Sequence, residues 1–260
     1  MAAHPPGFIE YREALGPHGL YGEWLRSKQA VTAIDGTIFM HAGIPPNGAP
    51  GRISEINDRI RDEIKRMDRH VQRLVDRKLA LPFFTLQEIL QVCEAEIAAA
   101  NLLIRTAKET GAAVDRVSSD IGSLTESEAL LKINEWHVLN PEGPLWYRGY
   151  ANAPDDPTGG MLKPLLARYG ARRFVVGHTP ISRQITSRFG GRVWLIDTGM
   201  LASVYKGRAS AIEISGDRVT AIYDEGRFPL TAVGDPDAPA FEQYQATVSR
   251  SPTSRPTAGR

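Results

Sequence analysis

Phe174-Val175-Val176-Gly177-His178-Thr179-Pro180 opens with three apolar residues and then drops into glycine, histidine and proline. A short apolar run bounded by turn residues reads as a buried strand, here over Ala171–Gly177, with His178 at its end. A second stretch has the same form. Val193-Trp194-Leu195-Ile196 runs into Asp197-Thr198-Gly199-Met200, a strand ending in an acid and a glycine turn. A third lies upstream, where Ala30–Ile34 and Thr37–His41 are joined by Asp35-Gly36. Asp-Gly between two apolar runs predicts a hairpin, because both turn positions need positive φ. His41 then ends a strand and enters Gly43-Ile44-Pro45-Pro46. Strand ends of an α/β sheet collect functional side chains, since the sheet fixes them and the loops leave room for a ligand.

Outward from these strands the chain changes character. Across residues 53–140, Ile53, Ile56, Ile60, Ile64, Met67, Val71 and Leu74 recur at steps of three and four, which makes one helix face apolar. Thr85-x-x-Glu88 and Ser123-x-x-Glu126 read as capping boxes that open further helices. Three helices are expected, over roughly 53–79, 85–109 and 124–138. Their mixed charges fit a solvated outer face, or a partner surface. Residues 141–230 return to alternating elements: a short helix near 160–169 stopped by Gly170, then a hairpin of Ala209–Ser215 and Arg218–Asp224. Residues 231–260 are polar and rich in Ala, Pro, Ser, Thr and Arg, the composition of a disordered tail.

Composition narrows the class. The 260 residues are 42% hydrophobic and 23% charged, ordinary for a globular chain. Thirty-one basic against thirty acidic residues leave a net charge of +1, which argues against binding a nucleic-acid backbone. The longest apolar stretch is broken at Glu96 and Asn101, short of the ~20 residues of a membrane span. No charged start leads into an apolar run, so no secretory signal is visible. Cys93 is the single cysteine, which excludes an internal disulfide and a Cys-rich zinc site. A cytoplasmic setting is the default expectation.

Of the six histidines, His4, His18, His70 and His137 lie in loop-like or helical sequence and read as structural or exposed. His41 and His178 share the strand-end context. Two such imidazoles can ligate a divalent metal, or stand as satisfied histidines at a sheet edge, and spacing leaves both open. In Gly143-Pro144-Leu145-Trp146-Tyr147-Arg148-Gly149-Tyr150, Arg148 is fenced by aromatics and glycines. That suits bidentate recognition of a phosphate or carboxylate, or plain stacking. Asp197 either orients a metal-bound histidine or caps its own loop.

His-Ala-Gly-Ile-Pro-Pro (41–46), Leu-Trp-Tyr-Arg-Gly-Tyr (145–150), Gly-His-Thr-Pro (177–180) and Ile-Asp-Thr-Gly-Met (196–200), in this order, resemble the later motifs of calcineurin-like metallophosphoesterases. The likeness is greatest to the bacterial Shewanella-like protein phosphatase branch and covers roughly residues 1–225. It implies an α/β fold, a two-sheet β-sandwich flanked by helices, formed by 1–52 and 141–230. The 53–140 helices would be an insertion that acts as a cap. It implies a phosphoester hydrolase with two divalent metals, Mn, Fe or Zn, acting on a phosphoprotein or small phosphoester. His41 and His178 fall on ligands of the second metal and Arg148 on the phosphate-gripping arginine.

The family's earlier motifs, Asp-x-His, Gly-Asp-x-x-Asp-Arg-Gly and Gly-Asn-His-Glu, are absent from this sequence. The resemblance therefore implies a C-terminal portion, with the N-terminal strands missing and no turnover expected from it alone. The alternatives are a non-catalytic binding module of the same ancestry, or a half-site completed by another chain.

Overall fold

The computed structural model describes residues 5–110 and 121–230. It divides into two compact units, one running up to Thr32 and from Met40 to Gly149, the other taking Ala33–Phe39 and the described residues from Tyr150 on. The expected tail, 231–260, lies outside the described residues.

The first unit is built on helices α1 (Phe8–Leu15), α2 (Leu20–Arg26), α3 (Ile53–Asp76), α4 (Leu86–Thr110) and α5 (Ile121–Leu131). The apolar spacing of α3 does what it predicts: Ile56, Ile60 and Leu74 are buried. Leu74 shares a core with Ala80, Ile89, Cys93, Leu130 and Ile133, so α3, α4 and α5 close on one another. The Thr85–Glu88 capping box forms as read, with Thr85 N–H donating to Glu88 Oε2 at 2.7 Å and Glu88 N–H donating to Thr85 Oγ1 at 3.3 Å.

The second box does not form. Ser123 lies inside α5, where its hydroxyl donates to Glu96 at 3.0 Å, and the Glu126 carboxylate is taken by Arg66 at 2.7 Å. Long-range charged partners outbid the local capping bonds. The helix expected to reach 138 ends at Leu131 and gives way to one 3₁₀ turn, Ile133–Glu135. His137 therefore sits beyond the helix, with Nδ1 3.6 Å from Glu63.

Helices α1 and α2 were not expected in the glycine- and proline-rich opening. Two glycines make their corner: a Cβ on Gly19 would lie 2.0 Å from the Glu13 carbonyl oxygen, and one on Gly22 1.7 Å from that of Gly16. Arg26 donates to both carboxylate oxygens of Asp68 on α3, at 2.7 and 2.9 Å. Arg12 donates to the Phe84 carbonyl at 2.7 Å. The helical unit thus takes in residues before 53, where composition alone drew its start.

The strands are β1 (Val31–Ile34), β2 (Thr37–Met40), β3 (Arg173–Val176), β4 (Thr186–Arg188), β5 (Val193–Leu195), β6 (Ala211–Ser215), β7 (Arg218–Tyr223) and β8 (Gly226–Leu230). One five-stranded sheet has the order β1-β2-β3-β5-β4, and β6-β7-β8 form a three-stranded sheet. Asp35 and Gly36 adopt φ of 47° and 73°, the turn the hairpin required. β3 and β5 pair in parallel, β4 and β5 antiparallel, and the smaller sheet is antiparallel throughout. Val175, Ile185 and Trp194 share one buried cluster with Val219, Ala221 and Leu230, so residues of both sheets meet in a common core.

The result is a mixed α/β architecture with two sheets and helices. β3, β5 and the β6–β7 hairpin fall inside their expected spans. The short helix runs over Lys163–Arg168 and stops before Gly170, whose φ is 60°. β4 and β8 had not been expected. Among the described residues, no helix is long and apolar enough to cross a membrane.

Candidate functional site

His41 leaves β2 at its C-terminal end and is exposed. The loop that follows is fixed from the other side of the helical excursion. Ala42 and Gly43 both donate their backbone N–H to the Pro144 carbonyl, at 3.1 and 3.3 Å. Chain segments a hundred residues apart in sequence are thereby joined, and the His41 loop and the Arg148 loop are brought together within the first unit.

The Arg148 loop is shaped by steric necessity. Tyr147 N–H donates to the Gly143 carbonyl at 2.9 Å, closing a turn. A Cβ on Gly143 would come within 2.3 Å of the His137 carbonyl oxygen, and one on Gly149 within 2.1 Å of the Tyr147 hydroxyl, so neither position admits a side chain as it stands. Trp146 Nε1 donates to the Val138 carbonyl at 3.0 Å. Tyr147 is half-buried, and burial pushes its phenol up, with the Glu142 charge acting the same way. Arg148 is exposed at the tip.

In the second unit the parallel register decides what meets. Val176 is opposite Leu195, and Ile196 N–H donates to the Val176 carbonyl at 2.8 Å. Two residues further along each strand stand His178 and Asp197, which leave adjacent parallel strands at the same edge. That edge is where α/β sheets hold ligands.

His178 has φ of 69°, and Thr179 N–H donates to the Gly177 carbonyl across it at 2.8 Å. This is a three-residue turn of the rare, strained hand, on a residue with a full side chain. Such outliers cost of order 1–3 kcal/mol and cluster at functional sites. Asp197 Oδ1 accepts the Gly199 N–H at 3.0 Å, so the loop-capping reading of this residue holds in the structure. Thr198 is buried and donates to the Arg208 carbonyl at 2.7 Å. Gly199 is left-handed, with φ of 63°, and a Cβ there would fall 2.6 Å from Tyr205 Cβ. Arg208 stacks over Tyr223 at 3.6 Å and donates to the Arg183 carbonyl at 3.0 Å, bracing the loop from behind. Its role was not readable from sequence, because its partners are scattered.

Among the described residues, no group of three or more His, Cys, Asp or Glu side chains is placed to hold a metal. A stable divalent centre takes about three or four protein ligands. A two-metal centre therefore does not fit this chain's described residues by themselves, and no reaction step is assigned to one.

Sequence reasoning passed over a second constellation, in the helical unit. His70 is buried on α3, and its Nε2 lies 3.0 Å from Ser127 Oγ on α5. Ser127 donates to Glu96 Oε2 at 2.6 Å. Arg77 and Ser123 supply further donors to that carboxylate. Burial pushes the Glu96 carboxyl up, but these hydrogen bonds together outweigh it and hold it below the usual range. Cys93 Sγ is 3.8 Å from His70 Nε2, and burial pushes this thiol up, away from the reactive thiolate. The available signal was position: His70 falls on the apolar face of α3, between Met67, Val71 and Leu74.

No family model matches the chain. An uncharacterized protein of Schizosaccharomyces pombe is 37% identical over 83 residues, which are 32% of this chain and 25% of that protein. A cold-active protein-tyrosine phosphatase of a psychrophilic Shewanella is 20% identical at a TM-score of 0.43, over 84% of this chain and 47% of that one. Another structure of a cold-active protein tyrosine phosphatase is 18% identical at 0.43, over 85% and 55%. The chain thus spans about a quarter of the curated relative and about half of these structures.

Proposed function

We propose that this chain carries the later part of the active site of a metal-dependent phosphoester hydrolase. The single observation that carries the reading is His178. A histidine held in strained backbone at a parallel strand end, level with Asp197 on the next strand, supports a functional rather than a packing role. In this reading Arg148 grips phosphate oxygens through its planar fork, which a lysine would not reproduce. His41 and His178 contribute part of one metal's ligand set, and Asp197 orients the His178 side. Only with further ligands from outside the described residues would such a metal be held, and it would then supply Lewis-acid polarisation of the phosphoryl group and an activated water.

The helical block fits a cap that restricts which phosphoester enters. The hydrogen bonds of Ala42 and Gly43 to Pro144 support its being an insertion, since they join the segments from which it departs and to which it returns. A second reading, a non-catalytic binding module of the same ancestry, is favoured by the incomplete ligand set among the described residues.

The test is hydrolysis of p-nitrophenyl phosphate, with Mn²⁺ supplied, by the chain extended through whatever in-frame coding sequence lies upstream of Met1. Arg148→Ala is expected to reduce turnover by about a hundredfold. His178→Asn should raise the Mn²⁺ concentration needed for half-maximal rate. No hydrolysis, with no metal-binding motif encoded upstream, would leave the binding module as the surviving reading.

A further inference from the structure

The His70 constellation borders a small cavity of about 60 Å³ in the first unit, lined by Arg66, Arg69, His70, Arg73 and Glu126. A water needs about 10–15 Å³ of such space, so the cavity suits a few waters or one small anion. Three guanidiniums face one carboxylate across it. Arg66 is already committed, with Nε 2.7 Å from Glu126 Oε2 and its guanidinium over the Trp136 ring. Arg69 and Arg73 stand a turn apart on the exposed side of α3.

The histidine turns this from a basic surface into a built site. His70 is only 2% exposed. The Glu96 carboxylate can only accept, so Ser127 Oγ–H donates to it and the Ser127 oxygen receives the proton of His70 Nε2. The tautomer is thereby fixed, and Nδ1 carries the lone pair. That atom is buried with no hydrogen-bond partner among the described residues. A buried polar atom in this state has given up its hydrogen bond to water with none in return. The lining arginines carry N–H donors, yet none comes within hydrogen-bond distance of Nδ1. A ligand that brings its own proton, or that stabilises a proton on Nδ1, resolves the mismatch.

We propose that this cavity binds a small tetrahedral oxyanion of the phosphate or sulfate class, held by Arg69 and Arg73 and capped by a proton on His70 Nδ1. The site is independent of the hydrolase reading. Burial keeps the free histidine's pKa below its ordinary value, with Arg73 and Arg66 acting the same way and Glu96 and Glu126 opposing them. Bound anion adds a negative charge beside the ring, so binding takes up a proton and tightens as pH falls.

The experiment is calorimetric titration of the full chain with sodium sulfate at constant ionic strength, with chloride as control. Sulfate does not titrate in this range, so any pH dependence belongs to the protein. Affinity is expected to rise about tenfold between about pH 8 and about pH 6. Arg69→Gln combined with Arg73→Gln should weaken sulfate at least about tenfold, with unchanged melting, since both side chains are exposed. His70→Gln keeps an N–H for Ser127 and should flatten the pH dependence. Inorganic phosphate and O-phosphoserine, run in parallel, distinguish a free anion from a phosphorylated side chain as the source. Heat from sulfate no greater than from chloride, or equal binding by the double arginine variant, overturns the proposal.

Discussion

Asn57 makes the most exposed prediction of the fold. From its place on α3 it accepts the Val31 N–H at 2.9 Å and donates to the Val31 carbonyl at 2.8 Å, imitating a neighbouring strand for the first residue of β1. Val31 has no exposed surface and Asn57 is 6% exposed, so water does not replace these bonds without rearrangement. Asn57→Ala strands one buried donor and one buried acceptor, each at about 1–3 kcal/mol. Partial relaxation brings the expected loss to about 2–4 kcal/mol, a fall on the order of 1 M in urea midpoint. Asn57→Asp refines the test. Its carboxylate still accepts from Val31 N–H but cannot donate to the carbonyl, so only the protonated form restores both bonds, and the folded-state pKa is raised. A group so raised adds stability as pH falls through its folded pKa, and the gain is complete below the unfolded value of about 4. Asn57→Asp should therefore recover relative to Asn57→Ala on acidification. Circular dichroism in urea gives the midpoint, and amide exchange at Val31 reports the local bond. A loss for Asn57→Ala under about 0.5 kcal/mol, with Val31 exchange unchanged, refutes the argument.

Thr85→Ala removes the hydroxyl of the capping box that opens α4 and should cost about 1 kcal/mol in urea unfolding; Thr85→Ser should be close to neutral. Gly199→Ala forces a Cβ into left-handed backbone 2.6 Å from Tyr205 and should cost more than about 1 kcal/mol, read as a lowered melting temperature. Glu96 has a depressed carboxyl, so its contribution is present above the unfolded pKa and is lost as pH falls through the folded one. Glu96→Gln should destabilise the helical unit near neutrality and flatten its acid-induced loss below about pH 4.5, by circular dichroism. An unchanged acid limb would remove Glu96 from the account.

What was legible in the sequence was what short-range chemistry dictates. Asp35-Gly36 fixes its hairpin within two residues, and Thr85 with Glu88 caps α4 within one turn. The two strands carrying His178 and Asp197 were legible because their apolar runs end in turn residues. Where long-range bonds compete, local reading failed. Ser123 and Glu126 have the spacing of a capping box, but Glu96 and Arg66 claim their side chains across the bundle. β8 was missed because Pro229 sits inside it, and an outer strand tolerates that: Pro229 pairs with Thr220 at the rim of the smaller sheet. Of the candidate site, the residue types and their loops could be read, and the structure adds the shared strand edge of His178 and Asp197. The left-handed backbone of His178 was hidden, because glycine stands next to it and invites the assumption that glycine does the turning. The His70 network spans three helices, and its one local signature is the place of His70 on the apolar face of α3.

The most direct test of the proposal that His41 and His178 each contribute a ligand to one metal is Mn²⁺ titration of the chain extended through its upstream coding sequence, with its imidazole nuclear magnetic resonances observed. The account predicts that the His41 and His178 ring signals broaden together at substoichiometric Mn²⁺, while exposed His18 does not. It further predicts that His178→Asn abolishes the broadening at His41. Broadening of His41 that survives in that variant, or that is matched by His18, would contradict a shared site.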